Sequence, residues 1–457
     1  MGKSIKVAFS FFLVIFFIVM VSKESAFAKS GIRVILYGNP IQEKHSPIMK
    51  NNTVLVPFKG IFEKLGFNVS YDSASKTISG QKTGTTIKLV INQNTTWIND
   101  TPTILQVAPQ IIDGATFVPL RFIGEASGLD VKWYGDSQIV SLYSKQNLFP
   151  VSRGGKFGYI DAEGKIVIDY QTRFTDAYAF NEGLAIVYSN AKFDGFINQQ
   201  GNKVIPKGNY YDAKEFSEGL AAYRTLKTAT DFAVSNYGYM DLTGTSVIKP
   251  QFKKANNFSE GLAAVQVGSG YGYINSSGKI VIKAQYNSAE DFSEGAALVT
   301  TNGTSHYIDK KGKFLFNSSY KNGESFSEGL AVVKSGANYG FINKKGKLEI
   351  PAKYEEVHSF SEGLAAVKIN GKSGYIDNKG KLLIPNQFDA ASDFHEGLAV
   401  AESGGKTGFI NKTGAWVIQP TLDWAGRFSK GLSYAYSVDG EVYINKNGQI
   451  VWRRSQP

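Results

Sequence analysis

The chain has 457 residues, enough for two or three domains, and its 42% hydrophobic and 19% charged content suits an ordered protein rather than a disordered one. It contains no cysteine, which excludes disulfides, Cys-ligated zinc, a thiol nucleophile and a lipid-modified N-terminal Cys. The formal charge of +11 pulls it toward anionic partners by long-range attraction.

Residues 1–28 read as a secretory signal: Lys3 and Lys6, an apolar run Val7–Val21 broken only by Ser10, then the small-x-small site Ala26-Phe27-Ala28. The alternative is a retained anchor, but a run of about 15 residues falls short of the ~20 that cross a bilayer. No later stretch is long enough to span. The expected location is secreted, extracellular or cell-wall associated, with no stable membrane span after cleavage.

Residues 32–145 contain a duplication with an offset of 62. Val56-Pro57 matches Val118-Pro119, Pro47 matches Pro109, and Gly66 matches Gly128. In each copy a strand runs into proline at a helix start, where a missing N–H costs nothing. Phe58, Ile61, Phe62 and Leu65 then fall on one helical face, and Gly66 is placed to end the helix in the left-handed conformation. The spacing predicts two strand–helix–strand units in a small α+β module. These residues, with Leu120-Arg121-Phe122-Ile123 and Gly128-Leu129-Asp130-Val131-Lys132-Trp133, resemble the copper amine oxidase N-terminal (stalk) domain family. The resemblance implies an appendage remote from any copper centre. The module's one histidine, His45, agrees, since a single imidazole without Cys builds no copper site. Arg121 reads as a solvated residue beside a helix start.

From 146 to 457 the chain repeats itself. Phe180, Phe216, Phe258, Phe292, Phe326, Phe360, Phe394 and Phe428 open successive copies, the last five intervals all being 34 residues. A fixed period of this size means a repeat architecture. In the copy opening at Phe360, the strands are expected over 364–369, 373–377 and 381–384, with Asn370-Gly371 as hairpin turn chemistry and Pro385 ending the third. First strands counted from 148–153 give nine three-stranded units. An eight-residue excess around Leu226–Asn236 reads as a loop extension that leaves strand phase untouched. Phe360 is expected to plug the seam between units.

The pattern Phe-Ser-Glu-Gly-Leu-Ala, then Gly-Tyr-Ile-Asp and Gly-Lys, resembles the WG repeat family of bacterial β-repeats. The Trp that names the family is here Tyr237, Tyr271 or Tyr339 in three copies and Phe157, Asp194, Ser305, Ser373, Thr407 or Glu441 elsewhere. More distantly the hairpins resemble cell-wall-binding repeats, which implies a stacked superhelix. The fold class is therefore mainly β: the duplicated α+β module, then nine β-repeats as an open superhelical stack, with a closed β-propeller as the alternative.

The repeated Glu182, Glu218, Glu260, Glu294, Glu328, Glu362 and Glu396 hold one phase, with Lys430 in the last copy. A glycosidase needs two unequal carboxylates facing one cleft, so a Glu in every copy reads as a turn or capping ligand. The Asp or Asn after each Tyr-Ile step is likewise a turn former. His45, His306, His358 and His395 are scattered without metal-binding spacing, so no metal, cofactor or catalytic residue is expected. The expected function is a non-catalytic binding or scaffold protein at the cell surface, the alternative a carbohydrate-active enzyme of the envelope. Its partner would be an anionic cell-wall polymer, a polysaccharide or a surface protein, and not nucleic acid. Tyr237, Tyr271, Tyr339 and Trp424 are the candidate stacking residues.

Overall fold

The computed structural model describes residues 31–171, 174–226 and 235–454. The expected signal, 1–28, and the middle of the loop extension, 227–234, lie outside the described residues.

The module begins with β1 (Arg33–Leu36), β2 (Asn39–Ile41), β3 (Ile48–Lys50), β4 (Thr53–Pro57), α1 (Phe58–Lys64), β5 (Asn68–Asp72) and β6 (Thr77–Lys82). After β7 (Thr85–Val90) the series recurs as β8 (Thr95–Ile98), β9 (Thr101–Ile104), β10 (Gln110–Ile112), β11 (Ala115–Pro119), α2 (Leu120–Ala126), β12 (Leu129–Tyr134) and β13 (Ile139–Ser144). The copies meet antiparallel at β4 and β11, where Val56 faces Val118, its own counterpart 62 residues on. An approximate two-fold axis passes between them. Each copy lends its first hairpin to the other: β1 pairs in parallel with β13, and β8–β9 extend the sheet of β5–β7. Gly66 and Gly128 end the helices at φ +82° and +80°, a conformation a Cβ would disfavour. Ile61, Phe62 and Ile123 turn inward onto one core.

Among the described residues the repeats form nine small sheets, here blades 1 to 9: residues 149–171, 176–206, 210–252, 254–286, 288–308, 330–354, 356–388, 390–422 and 424–453. Most blades hold four strands, not the expected three. The extra strand comes from the crossover, as where Lys254 and Ala255 pair with Gln266 and Val265. Pro385 does not end its strand, which runs Leu382–Phe388. The register slips beside it, so the residue without an N–H sits in a bulge on an edge strand, where no donor is required. The loop extension leaves the hairpin in register, with Leu220 opposite Asp241.

Each seam is built alike. Phe360 is buried, its ring centroid 4.9 Å from that of Phe341 in the preceding blade, and packs onto Ala365, Val367 and Ile376 of its own. Small Ala365 admits the ring, and the seam Phe pairs recur at 4.7–4.9 Å from Tyr159–Phe180 to Phe409–Phe428. Tyrosine hydroxyls reach across as well: Tyr239 donates to Asn256 O, Tyr273 to Glu290 O and Tyr375 to Ser392 O, each at 2.7 Å. Beneath them the turn glycine of one blade meets the preceding blade's isoleucine, as Gly380 meets Ile350.

The last blade repeats these contacts with the first. Phe149 packs on Tyr443 at 5.6 Å, the Tyr443 hydroxyl donates to Pro150 O at 3.1 Å, and Gly164 lies against Val451. Trp452 Nε1 donates to the Tyr170 hydroxyl at 3.2 Å. The repeats therefore close into a nine-bladed propeller. Of the two arrangements expected, the open stack gives way to its alternative. The chain has no blade shared between its two ends, and closure comes from side-chain packing at an ordinary seam instead.

Candidate binding face

One face of the ring carries the Phe-Ser-Glu-Gly loops and the Asx turns that follow each second strand. Ser361-Glu362-Gly363-Leu364 is a two-residue hairpin turn with φ +54° at Glu362 and +87° at Gly363, closed by hydrogen bonds between Ser361 and Leu364. Left-handed backbone at a residue with a Cβ costs about 1–2 kcal/mol. The carboxylate offsets it. Glu362 accepts the N–H of Gly397 in the next loop at 3.0 Å, and Glu182, Glu218, Glu260, Glu294, Glu328 and Glu396 do the same to theirs. Ser361 Oγ donates to Phe394 O at 2.6 Å in the same direction. The belt ends at Lys430, whose Nζ donates to Phe180 O at 3.2 Å. Blade 1 has no such loop, so this link spans from blade 9 to blade 2 and places the loops toward the ring axis.

Lysines buttress the belt. Lys310, Lys344, Lys412 and Lys446 lie 3.1–3.2 Å from Glu260, Glu294, Glu362 and Glu396. Partial burial pushes Glu260 and Glu362 up, but the ammonium and glycine N–H groups outweigh it and hold both below the usual carboxylate range. These acids are structural ligands, each engaged in the same way.

The module covers part of this face. Ile35 and Ile139 share a core with Leu184, Ile205 and Leu242 of blades 2 and 3. Arg33 pairs at 2.8 Å with Asp241, whose side chain is fully buried. Gln199 accepts from Ser144 N at 2.8 Å and donates to Ser144 O at 3.0 Å. Tyr143 and Tyr134 sit over Gly183 and Gly219, while the corresponding Gly261, Gly295, Gly329, Gly363, Gly397 and Gly431 have open space above them. Asp136 reaches Ser276 in blade 4. At the position after each Asx, the docked turns carry Gln199, Leu242 and Ser276, whereas Lys310, Lys344, Lys412 and Lys446 stand there in later blades. Sequence reasoning missed this footprint, although buried Leu242 in a lysine position was its visible signal.

The aromatic candidates lie toward the opposite rim, near the hairpin turns. Tyr237 is half-buried, faces Phe252 and has the Arg224 guanidinium 4.8 Å from its ring centre. Tyr271 faces Tyr286, and Tyr339 faces Tyr354, both packed into seam cores. Trp424 is half exposed, 6.1 Å from Tyr436. The four fall in blades 3, 4, 6 and 9, so the structure brings no two into one blade. In the module, a cavity of about 550 Å³ is lined by Met49, Ile104, Leu120, Phe122, Trp133 and Glu125 among others. Arg121, at its edge, is exposed and 3.8 Å from Glu125. Glu125 is the only carboxylate lining it, so it holds no acid pair. Among the described residues no three His, Asp or Glu side chains gather as a metal site, and no helix is long and apolar enough to cross a membrane.

Each part of the chain matches a known family. The copper amine oxidase N-terminal domain family matches residues 35–142. The WG containing repeat family matches eight segments between 157 and 440, together more than half of the chain. No curated protein is matched. Among solved structures, a eukaryotic initiation factor is similar at 12% identity and TM-score 0.50, over 68% of this chain and 95% of that one. BamB from Moraxella catarrhalis is similar at 12% identity and TM-score 0.34, over 65% of this chain and 92% of that one. An extracellular domain from B. thetaiotaomicron is similar at 10% identity and TM-score 0.30, over 92% of this chain and 72% of that one. The chain belongs to the WG repeat family, its propeller preceded by a copper amine oxidase N-terminal domain.

Proposed function

We propose that this protein is a non-catalytic binding or scaffold protein, exported to the cell surface, whose ring presents repeated surface to a wall polymer, a polysaccharide or a surface protein. The observation that carries the reading is the fate of the repeated carboxylates: each accepts a glycine N–H from the next loop, which supports a structural role for the series. Export rests on residues 1–28. The basic charge supports an anionic partner.

The test is incubation of the mature chain with purified cell-wall polysaccharide, measuring retained protein and released reducing ends. Retention without release is expected. Release that depends on the protein would overturn the reading in favour of a carbohydrate-active enzyme.

A further inference from the structure

Nine turns share one frame, yet their side chains are not alike. In eight of them the Asx side chain accepts the backbone N–H groups two and four residues on, as Asp377 does from Lys379 and Lys381 at 2.9 Å each, and in the ninth Asn275 accepts the Ser277 hydroxyl and the Lys279 N–H. The residues on either side of the turn glycine therefore leave from fixed points. In blades 5, 6 and 7 both are lysine: Lys311-Gly312-Lys313, Lys345-Gly346-Lys347 and Lys379-Gly380-Lys381. No other turn of the ring has this pair; the rest carry Glu163 and Lys165, Gln200 and Asn202, Thr243 and Thr245, Ser277 and Lys279, Thr413 and Ala415, or Asn447 and Gln449. All six lysines are exposed, and among the described residues no ion pair engages them. Nearby carboxylates are already committed: Asp309 to its own turn, Glu294 to Lys344 and Gly329, and Glu328 to Gly363. Asp377 is likewise committed to its own turn, and Glu349 accepts from Asn343.

We propose that these three lysine pairs form one binding track for a linear polyanion lying across blades 5 to 7, which names the partner class of the function proposed above and rests on it. Packed sheets stand on the order of 10 Å apart, so the track offers three stations at regular steps. Several weak charge contacts on one thread add as linked sites, each station raising the local concentration at the next. A flat anionic membrane fits less well. The module docks on this same face over blades 2 to 4 through Asp136, Arg33 and Gln199, so it stands beside the track and a flat surface approaching this face meets it too.

The experiment titrates fluorescent long-chain polyphosphate, poly-glutamate and phosphatidylglycerol vesicles separately against the full mature chain. Binding of either polymer, weakening as salt rises, is expected. Replacing Lys311, Lys313, Lys345, Lys347, Lys379 and Lys381 with Gln should weaken it about tenfold or more. A control with Lys76, Lys192, Lys207, Lys249, Lys253 and Lys283 changed to Gln, equal in charge, should weaken it less than about threefold. Unchanged melting temperatures show that both variants fold. Equal loss in the two variants, no polymer binding at low salt, or track-dependent preference for vesicles would each overturn the proposal. Those results leave the non-catalytic reading standing, since only glycan turnover bears on that.

Discussion

Lys430 Nζ lies 3.2 Å from the carbonyl oxygen of Phe180, across 250 residues of sequence. In every other loop the equivalent residue is a glutamate that accepts from a glycine. Here the polarity reverses, a donor reaches a carbonyl, and the longer side chain bridges the blade that lacks a loop. Lys430→Met should lower stability by about 1 kcal/mol. Hydrogen exchange should rise at blades 9 and 2 together, whereas Lys446→Met, within the belt, should leave blade 2 unchanged.

The seams supply the ring's cohesion. Phe360→Ala should destabilise by about 3–5 kcal/mol, because it empties a fully packed site between blades 6 and 7. Tyr375→Phe removes only the hydroxyl that donates to Ser392 O and should cost about 1 kcal/mol. Chemical denaturation would rank them, and equal values would refute the packing argument.

Module and ring meet through Arg33 and Asp241. Arg33→Ala leaves a buried carboxylate held only by its own turn, at a cost of about 3 kcal/mol, the low end for a buried pair because Arg33 is partly exposed. Leu242→Lys restores the residue type of later blades beneath Ile35 and Ile139 and should release the module outright. Proteolysis between residues 144 and 149 reads both.

Glu182 is the one belt carboxylate covered by the module. Burial raises its pKa, against the opposing pull of Gly219 N–H, Lys132 and Tyr134. A raised folded pKa means that its stabilising contribution is complete below the ordinary Glu value and is lost as pH rises through the folded one. Glu182→Gln keeps an acceptor for Gly219 without the charge. Its melting temperature should exceed that of the wild type at pH about 7, and the gap should close toward pH about 4. A gap that widens on acidification would show that the carboxylate is stabilised in the fold.

Much of this is legible in the sequence. The 34-residue phase located the seam phenylalanines, and the sameness of the glutamates marked them as turn ligands, because catalysis requires unlike acids. The 62-residue offset gave both strand–helix–strand units. What stayed hidden depends on contacts between distant residues. Closure needs Tyr443 to reach Pro150, and a closing seam uses the same residue types as any other. The exchange of hairpins in the module is equally silent, since β1 suits either β6 or β13 by pattern. Pro385 misled because a missing donor matters only where a neighbouring strand would accept it. The lysine pairs were readable, but only as an exception among equal turns.

Closure through Tyr443 and Phe149 also restricts how this gene can change. A stack of hairpins tolerates the gain or loss of a unit by unequal recombination, since only its length alters. A circle does not. One blade more or fewer would change the angle needed at every seam before Tyr443 could again reach Pro150, so the cost of altering copy number falls on the whole ring rather than on its ends alone.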